Sequence, residues 1–172
     1  RDVRVQPQDR TGSLHWLVQI TSLPRRLRRF YMSEILLSDN AAIAALGERL
    51  SQSPHVALDT EFLRERTYWS KLCLIQMALP GAGEAVLIDP IEGSSMSMEP
   101  LYDLFRHEAT VKVFHAARQD LEIFFVEGNV FPKPLFDTQI AAMVCGFGEQ
   151  VGYETLVKKI AKENLEDRKS VV

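Results

Sequence analysis

From Met32 onward the apolar residues fall into a regular pattern, whereas residues 1–31 keep no period. Asp39 is placed to cap a helix running to about 52, because Ile43, Leu46 and Leu50 then share one buried face. Pro54 ends that helix. Residues 55–63 form a mostly apolar run carrying Val56, Leu58 and Phe62, which predicts a central strand. Two more strands are predicted over 71–79 and 84–89, separated by Pro80-Gly81-Ala82-Gly83, and turns this short favour an antiparallel meander. A polar, small-residue loop through 93–98 leads into a helix over 99–106 with Leu101, Leu104 and Phe105 as its apolar stripe. A fourth strand follows over 111–115. The next helix, 117–127, turns Leu121, Phe124 and Phe125 inward and stops at Gly128-Asn129. Beyond Pro132 and Pro134, Asp137 is placed to cap a helix to about Cys145, and a last helix covers 153–161. Strands in a meander, then strands alternating with helices, predict a mixed α/β sheet. No internal repeat is present.

Composition narrows the class without naming a function. With 46% hydrophobic and 25% charged residues among 172, the chain has the make-up of an ordinary globular domain, which excludes disordered and fibrous classes. A formal net charge of -3 provides no global basic field, so contact with nucleic acid would need a local basic rim and metal ions. Cys73 and Cys145 lack metal-ligand spacing and lie in apolar runs, which predicts buried thiols in a reducing compartment. No apolar run approaches the ~20 residues of a membrane span, and the start lacks the order of a secretory signal. A cytoplasmic location is expected.

Three segments are expected. Residues 1–31 mix Arg25, Arg26, Arg28 and Arg29 with scattered apolar positions, and no Met precedes Met32; this stretch is read as disordered, or as upstream sequence translated in error, rather than as a nucleic-acid arm. Residues 32–166 are one domain. Residues 167–172 back-translate to the opening of a common sequencing adapter and are expected to be a scar.

The chemistry centres on Asp59 and Glu61. Two residues apart in a strand, their side chains leave the same face. Flanked by Leu58 and Phe62, two ionised carboxylates repel each other unless a cation neutralises them or one takes a proton. A hard divalent ion, Mg²⁺ or Mn²⁺, suits such an all-oxygen site. The bland alternative is a solvated face of a half-exposed strand. Against it stands Asp120, after the fourth strand, which a parallel neighbour of the first strand would bring near both acids. His115 is read as a hydrogen-bonded core histidine, Asp137 as a helix cap and Asp89 as a strand end. Arg64, Arg66 and Lys71 make a short basic stretch that either steers a phosphate backbone or is a solvated loop.

These residues carry a family likeness. Leu58-Asp59-Thr60-Glu61-Phe62 resembles the first motif of the DEDD exonucleases, whose metal-binding acids are Asp, Glu, Asp and Asp. Cys73-Leu74-Ile75-Gln76, Leu87-Ile88-Asp89-Pro90, Val113-Phe114-His115-Ala116 through Gln119-Asp120-Leu121, and Phe136-Asp137-Thr138-Gln139-Ile140-Ala141 resemble ribonuclease D in the same order, from about 38 to about 162. A lone Asp-x-Glu is weak, but this ordered series is specific.

The resemblance implies an α/β, ribonuclease H-like fold with a mixed five-stranded sheet flanked by helices. It implies a 3′-5′ exoribonuclease in which water, aided by two divalent cations (Mg²⁺ or Mn²⁺), releases nucleoside 5′-monophosphates from RNA with a free 3′ end, tRNA precursors above all. Asp59 would bridge both ions, Glu61 would bind the ion that activates the water, and Asp120 would hold the second. Thr60, through its backbone, and Phe62, by packing on a base or sugar, would contact the terminal nucleotide, though Phe62 is equally read as a core residue.

One departure stands out. The family's third motif, a Tyr with an Asp four positions on, is not found: Tyr68 is followed by Leu72, Tyr102 by Arg106 and Tyr153 by Val157. The chain as given is therefore expected to be a weak or inactive nuclease. A DNA-directed exonuclease and a non-catalytic nucleic-acid-binding fragment remain the alternatives.

Overall fold

The computed structural model describes residues 33–37, 39–64, 68–79, 84–91 and 96–162. The segments 1–31 and 167–172, the turn at 80–83 and Arg66 lie outside the described residues.

The chain enters the sheet at β1 (Ser33–Leu37), a strand not assigned from the hydrophobic pattern. Helix α1 (Asn40–Ser51) follows, capped as expected by Asp39, whose Oδ1 accepts the Ala42 N–H at 2.8 Å. Its Ile43, Leu46 and Leu50 are buried. Strands β2 (His55–Leu63), β3 (Lys71–Ala78) and β4 (Glu84–Ile88) form the predicted antiparallel meander. Helix α2 (Glu99–Arg106) starts with Pro100 in its first turn, where a missing N–H costs nothing. Then come β5 (Val111–Phe114), α3 (Arg118–Gly128), β6 (Leu135–Asp137), α4 (Thr138–Val144) and α5 (Tyr153–Ile160).

The strands lie in the order β1-β4-β3-β2-β5-β6. β2 is thus central, antiparallel to β3 and parallel to β5, and β5 is parallel to β6. The mixed α/β class holds, with six strands where five were expected. β1 and β6 are the outer two. β6 has only three residues and no apolar period, and its pairing with β5 alone makes it a strand.

Side-chain alternation splits the sheet into two faces. Leu58, Ile75, Met77, Val86 and Ile88 join Ile43, Leu46 and Leu50 of α1, Leu101, Leu104 and Phe105 of α2, and Phe124 of α3 in the main core. Each such side chain contributes about 1.5–3 kcal/mol by its burial. Leu74, Ala85 and Leu87 are buried on the opposite face, which Asp59 and Gln76 share by register. The approach of α3 to α2 is close enough to require Gly128, because a Cβ there would stand 2.5 Å from the Tyr102 ring.

Two expectations need correcting. Phe125 does not turn inward: it is 48% exposed and stacks on Phe131 with centroids 4.9 Å apart. Ile123 takes the inward position instead, because it lies one residue before Phe124 on the face that meets the sheet. The thiols are not buried as expected either, since Cys145 is exposed just past α4 and Cys73 is half-buried in β3.

A buried lysine was not anticipated. Lys112, in mid-β5, is fully enclosed, and its ammonium donates to the carbonyls of His107 and Lys133, each at 2.5 Å. Enclosure pushes its pKa down to about 8.

Candidate active site

β2 extends past the end of its parallel neighbour. The two pair only from His55 opposite Val111 to Ala57 opposite Val113, after which β5 ends and the chain turns into α3. The first turn of α3, carrying Asp120, is therefore delivered beside the stretch of β2 that has lost its β5 neighbour and carries Asp59, Thr60 and Glu61. Open α/β sheets characteristically hold their sites at this place, beyond the carboxyl ends of parallel strands.

Three acids stand near that place, unequally buried. Asp59 is half-buried, Asp120 is buried, and Glu61 is exposed. Burial, then the charges of Asp120 and Glu61, push the Asp59 carboxyl up to about 8, against a smaller opposing pull from the Thr60 backbone. Burial likewise raises Asp120 to about 6, restrained first by the Thr60 hydroxyl. Asp59 thus feels both other acids, and in the absence of a cation it holds a proton at neutral pH.

Thr60 leaves the strand on the other side from its two neighbours and is buried. Its Oγ1–H donates to Asp120 Oδ1 at 2.5 Å, so the hydroxyl between the two acids anchors the third. Phe62 follows a shift in the β2–β3 register between Glu61 and Phe62, and it packs, half-buried, against the main core. The Arg64 and Lys71 side chains are exposed nearby in sequence.

The donor set is one of oxygens, as a hard divalent ion prefers. All three acids offer oxygen, two of them are raised chiefly by burial, with neighbouring charge adding to it at Asp59, and the buried Gln76 Oε1 has no hydrogen-bond partner among the described residues. By chemistry the residues fit such an ion. They do not form a closed cage: among the described residues no three His, Cys, Asp or Glu side chains are gathered for one.

The remaining candidates take structural places. The Thr138 hydroxyl donates to the Phe114 carbonyl and so accepts from His115 Nδ1 at 2.8 Å. The His115 ring meets Tyr153 edge-on, and burial pushes its pKa down, as a core histidine requires. Asp137 caps α4 through the Gln139 and Ile140 N–H groups, and it also accepts from Ala116 and Ala117 where α3 begins. Asp89 follows β4 and accepts from the Ile91 N–H.

Gln76 had been given no role. It stands directly opposite Asp59 and donates from Nε2 toward Glu61 Oε1 at 3.4 Å. A fully buried amide inside the otherwise apolar run of β3 was the available signal.

Known proteins resemble this chain in sequence and in fold. The family model described as 3′-5′ exonuclease matches residues 35–171. A ribonuclease D of Jannaschia sp. (strain CCS1) is 65% identical over 126 residues, which are 72% of this chain and 32% of that protein. The crystal structure of Escherichia coli RNase D, described as an exoribonuclease involved in structured RNA processing, superposes with a TM-score of 0.72 at 34% identity, covering 83% of this chain and 36% of that one. Brucella melitensis NrnC with bound Mg²⁺ superposes with a TM-score of 0.59 at 25% identity, covering 76% and 61%. The chain spans about a third of the length of the curated relatives it matches.

Proposed function

Because this chain belongs to the 3′-5′ exonuclease family, we propose that it carries the front part of a ribonuclease D-like exoribonuclease site, with Asp59, Glu61 and Asp120 as its metal-binding acids. The observation that carries this reading is the delivery of Asp120 by β5 and α3 to the side of Asp59, whose carboxyl the neighbouring charges help push up to about 8.

The reaction is hydrolysis of the 3′-terminal phosphodiester of RNA, with tRNA precursors as the substrate class and a nucleoside 5′-monophosphate as the product of each cycle. Divalent cations, Mg²⁺ or Mn²⁺, two in number on this reading, would be held by Asp59, Glu61 and Asp120 and would supply positive charge against the negative charge that develops during hydrolysis. Asp59 feels the charges of both other acids, which would suit it to serve both ions. Glu61, exposed, would bind the ion that activates the water, and Asp120, fixed by Thr60, would hold the second. The Thr60 backbone and the open side of Phe62 receive the terminal nucleotide. Such an enzyme works in the cytoplasm.

A second reading is a non-catalytic nucleic-acid-binding module. Digestion of 5′-labelled single-stranded RNA with Mg²⁺ or Mn²⁺ separates the two. The protein, its Asp59→Ala variant and a version extended by a relative's Tyr-x-x-x-Asp segment are compared, with a DNA strand of equal sequence beside each. A ladder shortening from the 3′ end in the extended protein, lost with Asp59→Ala and stronger on RNA, is expected. A folded, extended protein that binds RNA and never shortens it would overturn the exonuclease reading in favour of the binding module.

A further inference from the structure

The most unusual polar group outside the three acids is the side chain of Gln76. It is 0% exposed in a central strand, and its Oε1 has no hydrogen-bond partner among the described residues. An unpaired buried amide oxygen opposes folding, so the position calls for a reason. The register supplies one. Gln76 faces Asp59 directly across β2 and β3, which puts both side chains on one face, and its Nε2 reaches toward Glu61 Oε1 at 3.4 Å. The same amide therefore touches one acid, stands opposite a second and keeps an acceptor open.

We propose that Gln76 is a positioning residue of the metal site, its Nε2 holding Glu61 while its Oε1 accepts a hydrogen bond from a water in the shell of the cation those acids bind. This rests on the reading of Asp59 and Glu61 as metal ligands. Glu61 is exposed, and a carboxylate on a free side chain must be ordered before it can serve an ion; a donor anchored in the neighbouring strand supplies that order. Hard divalent ions keep several waters, and those waters are strong donors that an open amide oxygen matches. Thr60 does for Asp120 what Gln76 does for Glu61: both are uncharged side chains holding an acid from beside it.

The test uses the full chain and Mn²⁺ binding, read from the electron paramagnetic resonance of free Mn²⁺, together with the rise in Tm that saturating Mn²⁺ produces. Gln76→Met, which fills the same volume without an amide, should weaken Mn²⁺ binding at least about tenfold and shrink the metal-induced rise in Tm. A merely structural glutamine would instead lower the metal-free Tm and leave the affinity and the rise unchanged, and that result would sink the proposal. Asp59→Asn serves as the control. If it too binds Mn²⁺ like the wild type, the reading of the site has failed, whereas loss of binding in Asp59→Asn alone fails only the role of Gln76. Should Gln76→Met not fold, the wild-type protein decides: Mg²⁺ should shift the ¹⁵Nε2 and ¹³Cδ resonances of Gln76, and Mg²⁺ binding that leaves both unmoved refutes it.

Discussion

Asp59 holds its proton more tightly in the folded chain than in the unfolded one, since burial and its two acidic neighbours raise its pKa from 3.8 to about 8. The stability gained from that proton is complete below the unfolded pKa of about 4 and is lost as pH rises through the folded value. Asp120, raised to about 6, acts in the same direction over the lower part of the range. The ion-free protein should therefore melt at a lower temperature at about pH 8.5 than at about pH 5. Asp59→Asn should flatten that slope, and saturating Mg²⁺ should recover most of the loss at the higher pH. Thermal melts across pH, with and without the ion, check all three. A slope unchanged in Asp59→Asn would mean that the crowding of charge lies elsewhere.

At the scale of elements, two helix caps of the same chemistry are set to different tasks. Asp39 is exposed and caps α1 through the Ala42 N–H. Asp137 serves two helices at once, with N–H groups from the start of α4 and from Ala116 and Ala117 before α3, the helix that carries Asp120. Loss of a cap costs about 0.5–2 kcal/mol. Asp39→Ala should fall near the middle of that range. Asp137→Ala should reach or pass its upper end and also loosen the Asp120 turn, which urea unfolding and amide exchange at Asp120 would register. The cap at Asp39 was legible because it precedes a helix with a clear apolar face. At Asp137 the local cap was equally legible, but its bonds to Ala116 and Ala117 were not, because they join residues about twenty positions apart.

The whole molecule leaves apolar surface on the α4 side. Val144 is 80% exposed and Ile140 56%, four residues apart on one helix face, with Phe136 and Met143 also open nearby in sequence. Self-association at high concentration is expected, driven by this face. Val144→Glu should reduce it in sedimentation velocity while changing stability by no more than about 0.5 kcal/mol. An unchanged association constant would place the sticky surface elsewhere, with the Phe125 and Phe131 stack as the next candidate.

The sequence by itself determined what depends on neighbours along the chain. Helical and strand periods located all five described helices and β2 through β5, because burial on one face imposes a period whatever the partner is. The i, i+2 spacing placed Asp59 and Glu61 on one face for the same reason. Tertiary structure decided the rest. β6 exists only because β5 offers it an edge, and Phe125 faces outward because Ile123 and Phe124 fill the contact beneath α3. The bond from Thr60 to Asp120 joins residues sixty apart, and Gln76 meets Asp59 and Glu61 only through the antiparallel register. Hydrophobic period records which side of an element is buried, whereas hydrogen-bond partners and electrostatic crowding depend on which distant residue fills the space opposite.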